Sequence, residues 1–151
     1  MAESSPVLPS DEQLQVLEEK IGYRFKNRAL ARKAFQSANS SRDSDGNKIL
    51  AMAGDEVHRL VIISHGCNKS KTREQISDMI TKRASNACFD LRGYHLGIDQ
   101  FVPKGLHQLF IAKRQMTTIM EAIIGAVYLD CNQAIPPCAG VMAALDISWS
   151  E

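Results

Sequence analysis

Few side chains in this sequence have the types and spacing of a metal or catalytic site. His65 and Cys67 could begin a zinc site, but no second pair of ligands follows them at zinc-finger spacing. Asp55 and His58 are three residues apart, so on a helix they would share a face and could hold a soft divalent metal. We favour the alternative interpretation of His58, which is a partly buried helix residue with no ligand role.

The cysteines do not indicate a metal or redox motif, because no two of them form a C-x-x-C pair. We expect four reduced and mostly buried thiols. They are Cys67, Cys88, Cys131 and Cys138. The span between Cys131 and Cys138 allows a disulfide, but a reducing cytosol disfavours it.

The charge pattern gives only a weak indication of a nucleic-acid partner. The formal net charge is +1, whereas a general phosphate-binding domain usually carries a clear basic excess. Local clusters of basic residues are more typical of solvated faces than of binding sites. Three such clusters occur: Lys69, Lys71 and Arg73; Lys82 and Arg83; and Lys113 and Arg114.

The composition indicates one soluble globular domain. Hydrophobic residues make up 44% of the 151 residues and charged residues 23%. No run approaches the roughly 20 apolar residues that span a bilayer. The opening MAESSPVLPS also lacks the pattern of a secretory signal or a transit peptide. We therefore expect no membrane partner and a location in the cytoplasm or the nucleus.

Helical periodicity predicts an all-α domain over residues 10–148, after a flexible tail at 1–9. Ser10, with Gln13 three residues later, predicts a capped first helix that ends at Gly22. Asn27 can cap a second helix, and Thr72 can cap a later one. Further helices are predicted at about 48–64, 85–94 and 115–130. Loops are predicted at 37–47, 66–72 and 98–110, and a short tail segment after Pro136 and Pro137.

The long helix at 48–64 is apolar on more than one face, which is typical of a central helix or of an interface. Its apolar residues are Ile49, Leu50, Met52, Ala53, Val57, Leu60 and Val61.

Four stretches of the sequence carry a family pattern. They are LEEKIGYRFKNRAL at 17–30, NKILAMAGDEVHRLVI at 47–62, RASNACFDLRGYHLGI at 83–98 and TTIMEAIIGAVYLD at 117–130. In this order they resemble the ribonuclease III domain, which also occurs in Dicer. The second stretch resembles its signature helix, usually N-E-R-L-E-F-L-G-D, and the fourth its final helix, usually D-x-x-E-A-x-x-G-A-x-x-L-D. The resemblance implies an all-α, dimeric endonuclease-type domain in a stand-alone form without a double-stranded RNA-binding domain.

The family's chemistry uses a pair of divalent metals held by converging carboxylates. By this resemblance Asp55 matches the signature Asp, and Glu121 matches the Glu of the final helix. Spacings of four and three residues place positions 51 and 55, and 118 and 121, on common helix faces. The other acidic positions of the family are replaced here by Lys48, Ala51, Arg73 and Thr118.

These replacements change the local formal charge by about six units, so we expect Mg²⁺ or Mn²⁺ to bind weakly or not at all. Asp55 and Glu121 could still hold one metal ion. The alternative is structural, with Asp55 hydrogen-bonding across the helix pair and Glu121 pairing with Lys48 or another base. The basic residues favour sequence-independent RNA binding instead. The residues concerned are Lys48, Lys71 and Arg73.

The resemblance also implies that the signature helix packs against a second copy, with Met52 inserting into it. The alternative is that Met52 is a core residue.

Our first hypothesis for the function is a pseudoenzyme homodimer that binds double-stranded or structured RNA with weak or absent cleavage. The alternatives are an active, metal-dependent endoribonuclease, and a protein-interaction scaffold or heterodimer partner of a complete ribonuclease III.

Overall fold

The computed structural model describes residues 7–37, 45–103 and 111–151, and in these ranges the chain is helical without strands. The all-α prediction is therefore confirmed. The helices are α1 (Asp11–Ile21), α2 (Arg28–Lys33), α3 (Lys48–Asn68), α4 (Arg73–Arg83), α5 (Asn86–His95), α6 (Lys113–Asp130) and α7 (Ile135–Ala144), with a 3-10 turn at Ile98–Phe101. Most of the predicted loop at 37–47, and parts of those at 1–9 and 98–110, lie outside the described residues.

Local capping signals fixed the helix ends that the sequence predicted. Ser10 and Gln13 form a reciprocal capping box at the start of α1, and Gly22 ends that helix with a left-handed φ of 68°. Asn27 caps α2 through its side chain. Thr72 and Gln75 form a second capping box at the start of α4. Each signal acts within one helical turn, so the sequence alone was sufficient.

The sequence analysis placed Pro136 and Pro137 between the last long helix and a short tail segment, but the structure places both prolines inside a further helix. This helix is α7, whose first turn contains Pro136 and Pro137. Proline fits that position, because the first amide groups of a helix have no intrahelical acceptor to lose. The helix buries Cys138, Val141 and Met142 and packs on α1, α3 and α6. The prolines therefore begin a helix of the domain.

Helices α3 and α6 form the centre of the fold, where their backbones touch at two glycines. A Cβ atom at Gly54 would lie 1.7 Å from the carbonyl oxygen of Glu121. A Cβ atom at Gly125 would lie 2.0 Å from the carbonyl oxygen of Leu50. No real Cβ tolerates such distances, so the crossing requires glycine on both helices. Around it α6 buries almost all of its length, from Met116 to Val127.

The segment after α7 is held by side chains from three helices. His58 Nε2 on α3 donates to the carbonyl oxygen of Ile147 at 2.7 Å. Arg83 Nε on α4 donates to the carbonyl oxygen of Ser148 at 2.8 Å. Arg92 on α5 forms an ion pair with Asp146 at 2.9 Å. These contacts fasten the segment to α3, α4 and α5.

Asp130, the last residue of α6, fastens the connection between α1 and α2. Its carboxylate accepts hydrogen bonds from Tyr23 Oη at 2.7 Å and from the amides of Lys26 and Asn27 at 2.8 Å each. Burial opposes ionisation, but these hydrogen bonds outweigh it and lower the pKa of Asp130. Burial and the neighbouring Asp130 carboxylate raise the pKa of Tyr23.

None of the helices in the described ranges combines the length and the apolar character of a membrane-spanning segment.

We expect Gly125→Ala to lower the free energy of unfolding by about 3 kcal/mol, because the added methyl group meets the rigid backbone of α3. Gly140→Ala is the matched control, since a Cβ there meets nothing within 4 Å on α7. It should be neutral or stabilising by up to about 1 kcal/mol. Urea denaturation followed by circular dichroism measures both, and equal effects of the two changes would refute the backbone contact.

Candidate functional site

The crossing of α3 and α6 brings Asp55 and Glu121 close together. Glu121 is half-buried, and its carboxyl group lies near enough to that of Asp55 for the two to interact. Burial first, and then the charge and hydrogen bond of Asp55, raise the pKa of Glu121 to about 8. At neutral pH Glu121 therefore largely keeps its proton. This pairing takes the place of the predicted alternative partner of Glu121, Lys48.

A cation that the sequence analysis missed lies against this acid pair. Arg59 forms an ion pair with Asp55, with Nε and Oδ1 3.7 Å apart. It also works against the rise in the pKa of Glu121. The signal was present in the sequence, since an Asp and an Arg four residues apart share a helix face. Arg59 thus occupies one side of the carboxylate that was expected to face a metal.

His58 is a structural residue of the core. It is fully buried, with its ring 5.3 Å from that of Phe89 and its Nε2 bonded to Ile147. Its Nδ1 has no hydrogen-bond partner among the described residues. Burial lowers the pKa of His58, which keeps the ring neutral. The favoured interpretation of His58 as a helix residue is consistent with this environment, although the side chain is more deeply buried than predicted.

Two of the positions where the family has acids lie on one cleft. A cavity of about 330 Å³ between the starts of α3 and α6 is lined by Lys48 and Thr118, together with Arg114 and Asn47. The Thr118 hydroxyl donates to the carbonyl oxygen of Arg114 at 2.9 Å. The nearby Ala51 is buried. This cleft therefore carries two cations, of which the sequence analysis had placed Arg114 only in a surface cluster.

Lys71 and Arg73 lie at the other end of α3. Arg73 begins α4, and Ile76, one turn later, packs against Gly66 near the end of α3. Gly66 is about 16 Å along α3 from Asp55. Lys71 forms an ion pair with Glu151 at 3.7 Å. Within one chain these two cations do not join Lys48.

A second surface of interest is the exposed apolar face of α3, which we call the α3 stripe. It consists of Ile49, Met52, Leu60 and Ile63. Met52 is 70% exposed, so within one chain it is not a core residue. The spacings of three, eight and three residues keep the four side chains on one face of the helix. The broad apolar character of α3 thus has two sources, a buried face and this stripe.

The donor set of the site is small. In the part of the chain that the structure describes, no three His, Cys, Asp or Glu residues form a group that could hold a metal ion. Mg²⁺ prefers six oxygen ligands, and two adjacent dications beside a phosphate need several carboxylates. The acid pair of Asp55 and Glu121 offers two carboxyl groups, one of them protonated at neutral pH. These residues do not fit a two-metal centre.

Comparison with known proteins identifies the fold. No protein-family model and no curated protein matches the chain. A structure of the nuclease domain of ribonuclease III from Campylobacter jejuni, described for flexibility in a region involved in dimer formation, has a TM-score of 0.67 and 22% identity over 89% of this chain and 92% of that one. A 2.2 Å crystal structure of the same domain has a TM-score of 0.66 and 23% identity over 90% of each chain. The chain therefore has the fold of the ribonuclease III nuclease domain, as the sequence resemblance implied.

Replacing Glu121 by Gln should make stability less sensitive to alkaline pH. Because the folded pKa is raised from 4.5 to about 8, the contribution of Glu121 is fully present below about pH 4.5 and is lost as pH rises through 8. The acid pair is partly exposed and water screens it, so we expect the wild type to lose roughly 1–2 kcal/mol relative to Glu121→Gln between about pH 5 and 8.5.

Urea denaturation across this pH range measures the difference. Glu19→Gln, on the exposed face of α1, is the matched control and should follow the wild type at every pH. Parallel pH profiles of the wild type and Glu121→Gln would show that burial beside Asp55 does not raise the pKa of Glu121.

Proposed function

We propose that this protein is a dimeric ribonuclease III-type domain that binds double-stranded or structured RNA, with weak or absent cleavage. The observation that carries the proposal is the cleft between α3 and α6, which is lined by Lys48 and Arg114. Only two carboxyl groups, those of Asp55 and Glu121, remain at the crossing of the same helices. Cations next to the cleft favour an RNA backbone directly. The compartment we propose is the cytoplasm or the nucleus.

Weak or absent cleavage follows from the chemistry of the donors. Glu121 must lose its proton before both carboxylates can face a metal. Arg59 on Asp55, and Lys48 at the edge of the same region, repel a dication. We therefore propose that Mg²⁺ or Mn²⁺ binds weakly or not at all. The two acids would hold a single ion if one binds.

RNA binding is supported by more than the two side chains. Both α3 and α6 begin at the cleft, neither has a side-chain cap, and neither has an acidic residue in its first turn. The positive ends of two helix dipoles therefore add to Lys48 and Arg114 in attracting phosphate. Contacts of this kind read the backbone and not the bases, so binding would be largely independent of sequence.

A homodimer is supported by the symmetry of the α3 stripe. Ile49 and Ile63 lie seven residues to either side of Glu56, and Met52 and Leu60 lie four residues to either side. A two-fold axis at Glu56 would make two copies of α3 antiparallel, so that position 49 meets 63 and 52 meets 60. Such a pairing covers all four exposed apolar side chains at once. A heterodimer with a complete ribonuclease III would use the same face.

The proposed dimer would also bring together basic residues that lie far apart within one chain. With α3 about 30 Å long and antiparallel to its copy, the end that carries Lys71 and Arg73 in one chain approaches the Lys48 end of the other. The three residues that the resemblance marked for RNA binding would then line one surface of the dimer. Two clefts would face the same side of a duplex.

The second candidate function is a metal-dependent endoribonuclease with a reduced ligand set. The observation that favours it is that the two acids that remain, Asp55 and Glu121, are in contact with each other on the central helices. The third, a protein-interaction scaffold, has the α3 stripe as its only support.

The function is tested by binding and cleavage of a long duplex RNA. We expect salt-sensitive binding, and no cleavage with Mg²⁺ or Mn²⁺. The double variant Lys48→Glu/Arg114→Glu should weaken binding by about 10-fold to 100-fold, to a similar extent for unrelated sequences. Lys20→Glu, an exposed charge reversal on α1, is the matched control and should bind as the wild type does.

The same experiment separates the alternatives. Metal-dependent cleavage that is lost in Asp55→Ala/Glu121→Ala would replace our proposal by the enzyme. Absence of binding even at low salt would leave the scaffold.

The dimer is tested by Met52→Glu, which should raise the dimer dissociation constant by about 100-fold or more, because it places a charge in an apolar contact. Sedimentation velocity over a concentration series measures it. Leu91→Glu on α5 is the matched control, since Leu91 is 64% exposed and lies outside the stripe. A wild type that stays monomeric at high micromolar concentration would contradict the dimer.

A further inference from the structure

The turn between α6 and α7 brings two cysteine side chains together. Cys131 Sγ donates to the carbonyl oxygen of Ala134 at 3.3 Å, and Cys138 Sγ donates to the same oxygen at 3.4 Å. The two sulfur atoms are therefore no farther apart than the sum of these distances. The described part of the chain holds both as free thiols.

The backbone of this turn is unusual. Two consecutive residues that are not glycine, Asn132 and Gln133, have left-handed φ angles of 58° and 62°. Such angles are rare for Gln, and they persist only where the surroundings fix them. The amide of Gln133 donates to the carbonyl oxygen of Tyr128 at 2.8 Å, which holds the reversed chain in place. The tight turn is what places Cys131, at the end of α6, beside Cys138 in α7.

We propose that Cys131 and Cys138 are a site of reversible oxidation, at which a small disulfide such as glutathione disulfide converts the two thiols into an intramolecular disulfide. Cys131 is half-buried and Cys138 is fully buried, so Cys131 is the thiol that a reagent in solvent can reach. The bond would join the end of α6 to α7 across the left-handed turn. It is independent of any RNA-binding or nuclease role.

The reaction proceeds by two thiol–disulfide exchanges. The Cys131 thiolate attacks one sulfur of the reagent, forms a mixed disulfide and releases one glutathione thiolate. Cys138 then loses its proton and attacks Cys131 Sγ, which releases the second glutathione. Two protein thiols are oxidised and one molecule of glutathione disulfide is reduced to two of glutathione. Burial raises the pKa of Cys138 to about 12, so the second exchange is slow at neutral pH and accelerates as pH rises.

The test uses the full chain with Cys67→Ser, which removes the exposed thiol that could link two molecules. After incubation with glutathione disulfide, we expect a product lighter by two hydrogen atoms. Non-reducing peptide mapping should find Cys131 joined to Cys138. The melting temperature should rise by about 5 °C and return on reduction with dithiothreitol, because a short loop is closed.

Two variants serve as controls. Cys131→Ser should give neither the product nor the rise in melting temperature, and Cys88→Ser, a change on α5, should give both. A glutathione adduct on Cys131 that persists even at alkaline pH, with Cys138 still free, would overturn the proposal. So would a disulfide that involves Cys88.

Discussion

The contact between the backbones of α3 and α6 is the constraint on which the rest of this structure depends. Gly54 and Gly125 let the two helices approach until the carbonyl oxygens of Glu121 and Leu50 occupy the space where Cβ atoms would be. Because Asp55 follows Gly54 directly and Glu121 lies one turn before Gly125, the crossing fixes the distance between the two acids. The same approach sets the starts of both helices on one cleft. Packing at two glycines therefore positions the whole site.

With the two helices fixed in this way, the number of acidic side chains determines the charge of the site. The resemblance to the ribonuclease III domain implies six acidic positions, of which this chain keeps Asp55 and Glu121. Burial first, and then the neighbouring charge of Asp55, raise the pKa of Glu121. Arg59 neutralises part of what remains.

The remaining surfaces follow from elements that pack around the central pair. Helix α3 is covered by α6 on one side, which leaves the α3 stripe exposed among the described residues. Helix α7 returns along α1, α3 and α6, and the tight turn that allows this brings Cys131 beside Cys138. The segment after it is then held by His58, Arg83 and Arg92.

The sequence by itself determined the all-α class and the ends of several helices, because the signals at Ser10, Gly22 and Thr72 act through hydrogen bonds within a single turn. It also indicated Asp55 and Glu121, because the stretches that resemble the ribonuclease III domain occur in the order and spacing of that family. Only the tertiary structure decided that burial beside Asp55 raises the pKa of Glu121 and that Arg114 joins Lys48 on one cleft. It also decided that Lys71 and Arg73 lie elsewhere and that the prolines begin α7. These outcomes depend on distances between helices that are far apart in sequence, and hydrophobic periodicity, which assigns each helix a buried face, does not specify which helix will cover it.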